Sequence, residues 1–407
     1  MKKKTILILG IILIAFNLRP ALTALGPLVS LIRADMDLSN SVIGLITALP
    51  LITFAVFSPL VPRISYQLGN ERTLFLGLLL LLLGILIRSI DIVPVLFAGT
   101  VLVGLGIAIC NVLLPALIKG KFPNRVGLMT SVYSTAMTIF AAIGSGISVP
   151  LAVGLNLGWQ GALACWAILA GAAIVVWLPQ LRKQEEKPII KEKTAKHKKP
   201  KERPSELKLW RSSLAWQVTV FMGLQSLSFY ITVAWLPEIL HSYGIDISLA
   251  GWLLFFMQFA GIPATFVVPL LAERFRNQQK IVMVIGLLYL VGFGGLIVYR
   301  HIVMLTICIV LLGLSQGACI SLIFTLFVLR TTNAQQAAAL SGMAQSIGYI
   351  LAAIGPSVIG WMFDLTHSWV TPILSLMVIS VLITIAGLGA GRNCYVLPGE
   401  NNTSKEA

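Results

Sequence analysis

The stretch FNLRPALTALGP, residues Phe16–Pro27, places a charged side chain inside an apolar run that extends from about residue 5 to residue 32. A helix needs roughly 20 apolar residues to cross a hydrocarbon core of about 30 Å, so this run can span a bilayer. Arg19 lies near its middle, where a guanidinium costs on the order of 3 kcal/mol, and Pro20 removes a helical hydrogen bond. We predict that Arg19 faces a water-accessible cavity and contacts an anionic or strongly dipolar solute. A purely structural arginine is the alternative.

The composition excludes an ordinary soluble protein. The chain has 407 residues, of which 57% are hydrophobic and 11% charged, whereas soluble proteins carry about 25% charged residues. The net charge of +15 is confined to short segments between apolar runs, a pattern typical of membrane-protein loops rather than of a nucleic-acid-binding surface. The five cysteines show no CxxC or metal-ligand spacing, so we expect no disulfide framework, no metal site and no cofactor.

Apolar runs separated by charged breaks predict twelve membrane spans. The first run is longer than a signal-peptide core and contains Arg19, so we interpret it as an uncleaved first span. Spans 1 to 6 are predicted near 5–32, 41–62, 73–90, 92–118, 127–152 and 158–179, and spans 7 to 12 near 213–240, 249–271, 281–299, 302–329, 337–363 and 370–391.

The basic residues predict the orientation. If the N-terminus is cytoplasmic, all of the 30 Lys and Arg except Arg19, Arg33, Arg88 and Arg300 fall on the cytoplasmic side. The positive-inside rule therefore predicts a multi-pass plasma-membrane protein with both termini in the cytoplasm and the lipid bilayer as its partner. No nucleic-acid partner is expected.

The long basic segment divides the spans into two similar sets of six. AAIG at Ala141–Gly144 recurs at Ala352–Gly355, in spans 5 and 11, and equivalent spans that run in the same direction indicate a parallel repeat. We predict an N-terminal bundle at 1–180, a flexible basic cytoplasmic linker at 181–212, a C-terminal bundle at 213–392 and a cytoplasmic tail at 393–407. The predicted fold is an all-α integral membrane protein of two pseudo-symmetric six-helix bundles.

Polar side chains near the middle of the spans are candidate solute contacts, because transporter sites lie near the midplane between repeats. Interhelical hydrogen bonding is the alternative for each amide and phenol, and no catalytic residue is predicted. The predicted substrate-binding residues are Asn17, Arg19, Asn111, Tyr133, Gln225, Tyr230, Gln316, Gln345 and Tyr349.

The paired bundles resemble the major facilitator superfamily over the whole chain. The loop PRISYQLGNER keeps Gly69 and Arg72 of a family loop motif but lacks its Asp, and the second copy LAERFRN keeps the acid–base pair Glu273-Arg274. We expect these loops to brace helix ends as the bundles rock.

Three spans resemble one branch of that superfamily, the cyanate and nitroimidazole permeases. The segments are FNLRPALTALGPLVSLIR, GLQSLSFYITVAWLPEIL and AQSIGYILAAIGP. The resemblance implies a carrier of a small polar or anionic solute. The residues that it implies as solute contacts are Asn17, Arg19, Gln225, Tyr230, Gln345 and Tyr349.

The sequence thus predicts a secondary active or facilitative transporter of a small polar or anionic solute that works by alternating access. An exporter of nitroimidazole-like drugs or other small neutral compounds is the alternative. An enzyme is not expected, because no paired carboxylates or histidine cluster share one depth. A proton-coupled cycle is a further alternative, with Glu238 and Asp364, both near span ends, as its carboxylate candidates.

Overall fold

The computed structural model describes residues 2–38, 40–185 and 208–397, and its regular structure in these ranges is helical. The helices of the first half are Lys2–Asn17, Pro20–Thr23, Leu25–Asp35, Asn40–Phe57, Val61–Leu68, Asn70–Arg88, Val93–Lys121, Val126–Val149, Gly158–Ala164 and Trp166–Glu185. Those of the second half are Ser213–Ser242, Ile247–Ala260, Ile262–Arg274, Gln279–Val298, Ile302–Leu329, Ala334–Thr366 and Val370–Ala390.

These helices confirm the predicted spans. Within the described ranges, 11 are long and apolar enough to cross a membrane, and a bent pair raises the number to 12. Taken as twelve spans that alternate in direction, the start of span 1 at Lys2 and the end of span 12 at Ala390 lie on the same side of the protein, which we call the termini face. We call the opposite face the distal face.

Span 1 is broken where the sequence places its charge. The first helix ends at Asn17 and the next begins at Pro20, whose ring has no N–H to donate to the preceding turn. Span 2 is bent by 59° between Gly44–Phe57 and Val61–Leu68. Span 8 is interrupted between Ala260 and Ile262. The sequence predicted a weakened helix at Pro20, whereas it predicted spans 2 and 8 as single runs.

Glycines let the helices of each half approach closely. A Cβ at Gly317 in span 10 would lie 2.7 Å from Thr265 Oγ1 and still closer to the carbonyl oxygen of Gly261, both in span 8. Gly313, one turn earlier, faces the carbonyl of Met257 in the same way. These two glycines form a GxxxG pair that favours close helix packing.

The two halves contact each other near the termini face, where span 11 packs against spans 2 and 4, span 10 against spans 4 and 5, and span 8 against span 5. The hydrogen bonds across this boundary are Gly127 N–H to Glu273 Oε2 at 2.9 Å, Lys119 Nζ to the Val328 carbonyl at 3.0 Å, Ser131 Oγ to the Phe266 carbonyl at 2.6 Å and Ser346 Oγ to the Ala55 carbonyl at 2.5 Å. The structure is therefore closed on the termini face, and the space between the halves lies on the distal side of these contacts.

The predicted linker lies mostly outside the described residues. Span 6 continues as a helix to Glu185, past the predicted end of the first bundle, and the chain is next described from Lys208. The start of the predicted tail is packed: the N–H of Val396 donates to the Arg330 carbonyl at 2.8 Å, and Ser212 Oγ donates to the Val396 carbonyl at 2.9 Å. The proposed domain boundaries remain predictions.

Candidate functional site

A cavity of about 550 Å³ lies between the two halves. The first half contributes side chains from spans 1, 2, 3 and 5, and the second half contributes them from spans 7, 8, 10 and 11. Its lining reaches from residues near the midplane, such as Arg19 and Gln316, towards the distal ends of the spans at Pro27 and Ser357. Because side chains of both bundles line the cavity, its shape depends on the position of one bundle relative to the other.

Five of the nine predicted contacts line this cavity. They come from spans that the sequence separates widely but that the fold brings together. They are Arg19 from span 1, Gln225 and Tyr230 from span 7, Gln316 from span 10 and Tyr349 from span 11. Their roles as substrate contacts remain predictions.

Arg19 is the charged centre of this group. It follows the break in span 1, and its guanidinium carbon lies 5.9 Å from the centroid of the Phe229 ring in span 7. It also interacts electrostatically with the phenols of Tyr230 and Tyr349. A guanidinium near an aromatic face gains about 0.5–2 kcal/mol, and its five donors leave capacity for a solute.

Two further side chains supply neutral polar contacts. The Nε2 atom of Gln316 is buried and has no hydrogen-bond partner among the described residues, so it is a donor that a bound solute can satisfy. The ring of Tyr349 packs against Phe54 of the first half, with centroids 4.7 Å apart, and this contact joins the two bundles beside the cavity.

Asn17 and Gln345 do not line the cavity. Asn17 Nδ2 donates to the carbonyl oxygens of Leu13 at 2.8 Å and Leu169 at 3.2 Å, which ties span 1 to span 6. Gln345 Nε2 donates to Ser341 Oγ at 2.8 Å within span 11. In this state both amides have structural hydrogen bonds.

Asn111 and Tyr133 also lie outside the cavity lining. Both are buried, in the part of spans 4 and 5 that is nearer the termini face. The Tyr133 ring lies 5.7 Å from that of Phe324 in span 10, and its hydroxyl has no hydrogen-bond partner among the described residues. Tyr133 therefore lies in the closed region between the halves, and Asn111 is buried at a similar depth in span 4.

Arg88 is a lining residue that the sequence did not indicate. It ends an apolar run, so the sequence placed it on the extracellular side, but its side chain is only 1% exposed and contributes to the cavity wall. Thr138 and Ser145 of span 5 also line the cavity. Small hydroxyl residues are common in membrane helices, and no sequence signal separates these two from the others.

The charge of the lining is unbalanced. Among the described residues that form it, Arg19 and Arg88 are cationic, and there is no Asp, Glu, Lys or His. Across the described part of the chain, no cluster of three or more His, Cys, Asp and Glu side chains could hold a metal ion. The arrangement can therefore attract and hold an anion.

Comparison with known proteins identifies the family. The model of the Major Facilitator Superfamily matches residues 7–356 and, separately, 218–393. The chain belongs to the Major Facilitator Superfamily. Members of this superfamily carry small solutes across membranes, so the chain is a multi-pass membrane solute transporter, in agreement with the carrier class predicted from the sequence.

Three relatives place it in the branch that the sequence resembled. It is 51% identical over 394 residues to an uncharacterized transporter of Bacillus subtilis, covering 97% of this chain and 95% of the relative. It is 41% identical over 393 residues to the 2-nitroimidazole transporter of Escherichia coli, covering 96% and 97%. It is 28% identical over 353 residues to a cyanate transport protein of the same species, covering 86% and 88%.

A solved structure supports the fold of this Major Facilitator Superfamily member. The proton:xylose symporter XylE, bound to 6-bromo-6-deoxy-D-glucose, superposes with a TM-score of 0.74 and covers 94% of both chains. The identity is 14%, so the likeness concerns the fold alone. It agrees with the two pseudo-symmetric six-helix bundles predicted from the sequence.

Proposed function

We propose that the protein is a plasma-membrane carrier for a small anionic solute, with Arg19 as its charged contact. The main support is the lining of the central cavity, which contains two arginines and no acidic residue among the described side chains. An uncompensated guanidinium at membrane depth is costly, and a solute anion supplies the missing charge. The amides and phenols around Arg19 then orient that anion.

The proposed orientation places both termini in the cytoplasm. It is supported by the positive-inside rule applied to the sequence, in which all basic residues except Arg19, Arg33, Arg88 and Arg300 fall in segments predicted to be cytoplasmic. In this orientation the distal face is extracellular and the cavity faces outward. The two bundles, 1–180 and 213–392, then rock about the cavity to expose it to the cytoplasm.

Export of a nitroimidazole-like compound is the second candidate. It is favoured by the relative that is 41% identical over nearly the whole chain and is named a 2-nitroimidazole transporter. Phe229, Tyr230 and Tyr349 line the cavity and offer ring faces on which a flat heterocycle can stack. Nitro oxygens are hydrogen-bond acceptors, so Arg19 can serve either class of solute.

We propose a facilitated rather than a proton-coupled cycle. Proton-driven carriers use an intramembrane carboxylate or histidine, and the described lining of the cavity contains neither. The two acidic residues considered from the sequence, Glu238 and Asp364, are exposed at distal ends of spans. A pH gradient across liposomes that contain the protein should therefore leave the rate of solute exchange unchanged.

A thermal-shift screen tests the choice of solute. The probes are cyanate, nitrate, benzoate and 2-nitroimidazole, added to purified wild type, Arg19→Gln and the control Arg300→Gln, which removes an arginine outside the cavity lining. A ligand that binds the folded state raises the apparent melting temperature with occupancy. We expect a shift with at least one anion, lost in Arg19→Gln and kept in Arg300→Gln. A shift with 2-nitroimidazole alone, kept in Arg19→Gln, would support the exporter and contradict the anion carrier.

A further inference from the structure

Arg88 occupies an unusual place for an arginine at the end of a span. It is the last residue of the helix Asn70–Arg88, where an arginine can ordinarily extend to the membrane surface. Here Gly99 of span 4 packs directly against its backbone, and a Cβ at Gly99 would lie 2.7 Å from Arg88 Cα. Spans 3 and 4 are therefore in close contact here, and Arg88 is only 1% exposed.

The hydrogen bonds of Arg88 are incomplete. Its Nη1 atom donates to the Ala21 carbonyl at 2.6 Å, within the broken segment of span 1. Its Nε and Nη2 atoms are buried and have no partner among the described residues. A buried charged group with unsatisfied donors is strongly disfavoured. The side chain lines the same cavity as Arg19, so an anion in that cavity is the available source of acceptors.

The second half shows that the topology does not require this burial. At the corresponding end of span 9, Arg300 donates through Nη1 to the carbonyl oxygens of Leu296 and Ile297, both at 2.9 Å, and lies 3.8 Å from the centroid of the Tyr243 ring. Arg300 is exposed. An arginine that only terminates a span can therefore be satisfied by local carbonyls, whereas Arg88 keeps two donors unused.

We propose, on the basis of the anion-carrier function above, that Arg88 is a second anion contact and that the preferred solute is a small dianion such as an aromatic dicarboxylate. One carboxylate binds Arg19, and the other binds the Nε–Nη2 edge of Arg88. Two guanidinium groups balance two carboxylates, and no acidic side chain of the described lining competes with them.

The geometry of the free edge of Arg88 suits a carboxylate. Two parallel N–H groups can bind both oxygens of one carboxylate, which the point charge of lysine cannot reproduce. Both atoms are buried, so the second carboxylate must displace part of the cavity wall. A monoanion bound at Arg19 gains nothing from that displacement, and the contact therefore discriminates between mono- and dianions.

Binding of terephthalate and benzoate tests this inference, because the two differ only by the second carboxylate. Dissociation constants are measured by titration calorimetry on the full-length protein as wild type, Arg88→Gln, Arg88→Lys and the control Arg300→Gln. A hydrogen bond to a charged group contributes about 1.5–3 kcal/mol, or roughly 10- to 100-fold in affinity. We expect Arg88→Gln to weaken terephthalate by about that factor, benzoate by less than about 3-fold, and Arg88→Lys to restore only part of the loss.

Equal losses for both ligands in Arg88→Gln would overturn the inference, because Arg88 would then only position the Ala21 segment beside Arg19. The same is true if Arg88→Gln prefers terephthalate over benzoate by the same factor as wild type. If Arg88→Gln fails to fold, the affinity of wild type for monomethyl terephthalate is measured instead. This ester keeps the shape of terephthalate and removes one charge. An affinity equal to that for terephthalate would exclude a second anion contact. If wild type binds terephthalate but Arg19→Gln binds it equally well, the proposed role of Arg19 fails separately.

Discussion

The carboxylate of Glu273 accepts a hydrogen bond from the backbone N–H of Gly127 at 2.9 Å, across the boundary between the two halves. Gly127 lies at the start of span 5, and a Cβ there would lie 2.6 Å from the Glu273 Oε2 atom and from the Pro269 carbonyl. Only a glycine permits this approach. Glu273 belongs to the loop that we expected to brace helix ends, and in this structure it joins the two halves on the termini face.

Substitution Glu273→Gln should favour the state that is open on the termini face. The side-chain oxygen of Gln can still accept from Gly127 N–H, so the change replaces a charge-assisted hydrogen bond with a neutral one. At this exposed position the difference is about 1 kcal/mol or less, so the population ratio should change by roughly 2- to 5-fold. Pulsed electron paramagnetic resonance can measure this between spin labels at the exposed positions Arg72 and Arg276, in a background without the exposed Cys394. The longer-distance population should grow. Glu238→Gln, at an exposed distal position, is the matched control, and an equal response in both variants would contradict the role of Glu273.

The two glutamines of spans 10 and 11 should differ in their effect on binding. Gln316 has an unsatisfied Nε2 and lines the cavity, whereas Gln345 bonds to Ser341 outside it. We expect Gln316→Leu to weaken benzoate binding by about 3- to 10-fold without loss of stability, because the removed donor is unpaired in the absence of solute. Gln345→Leu should leave affinity unchanged and lower stability. Titration calorimetry and thermal melts measure both, and equal losses of affinity would contradict the assignment.

Close packing of spans 8 and 10 should make Gly317 intolerant of a methyl group. Gly317→Ala forces the new Cβ against the backbone of Gly261, and overpacking of this kind costs about 1–3 kcal/mol. The apparent melting temperature should fall. Gly294→Ala is the control, since its Cβ would meet only Met377 Cε at 3.5 Å, an ordinary contact. A similar fall in both variants would contradict this account, because Gly294→Ala gains helix propensity and makes no close backbone contact.

Asn17 should behave as a structural residue rather than a solute contact. Asn17→Leu removes the hydrogen bond to the Leu169 carbonyl that joins spans 1 and 6, which should cost about 1 kcal/mol of stability. The affinity for benzoate should remain within about 2-fold of wild type. Thermal melts and calorimetry on the same preparation separate the two effects. A large loss of affinity at unchanged stability would show that Asn17 contacts the solute.

The positions of the spans could be predicted from the sequence because bilayer crossing depends on local hydropathy. The breaks within spans were less evident: Pro20 indicated a weakened helix, whereas the interruption at Gly261 comes just before Pro263, at the start of the next helix, and it lies against Gly313 and Gly317 of span 10. The location of the Arg88 side chain also depends on tertiary packing. Its position at the end of an apolar run indicates an outer residue, but in the structure Gly99 packs against its backbone and its side chain lines the cavity.

The site was predicted in part because depth is readable from the sequence while helix rotation is not. Asn17 and Arg19 are two residues apart and therefore point to different sides of a helix, and only Arg19 lines the cavity. Gln345 and Tyr349 share a helix face, as expected, but Gln345 lies one turn closer to the termini face, where the halves are closed. Which of the two lines the cavity depends on the side of the protein on which the halves are closed, and no local sequence pattern specifies that side.

The fixed charge of the cavity wall has an electrical consequence. Arg19 and Arg88 have no acidic counterpart among the described lining residues, so no side chain there can take up a proton to neutralise an anion during its passage. Moving one uncompensated charge across a potential of 100 mV corresponds to about 2.3 kcal/mol, or roughly a 50-fold concentration ratio at equilibrium. With the cell interior negative, the voltage favours outward movement of an anion carried in this way, and net uptake requires an outside concentration that exceeds the inside one by more than this ratio.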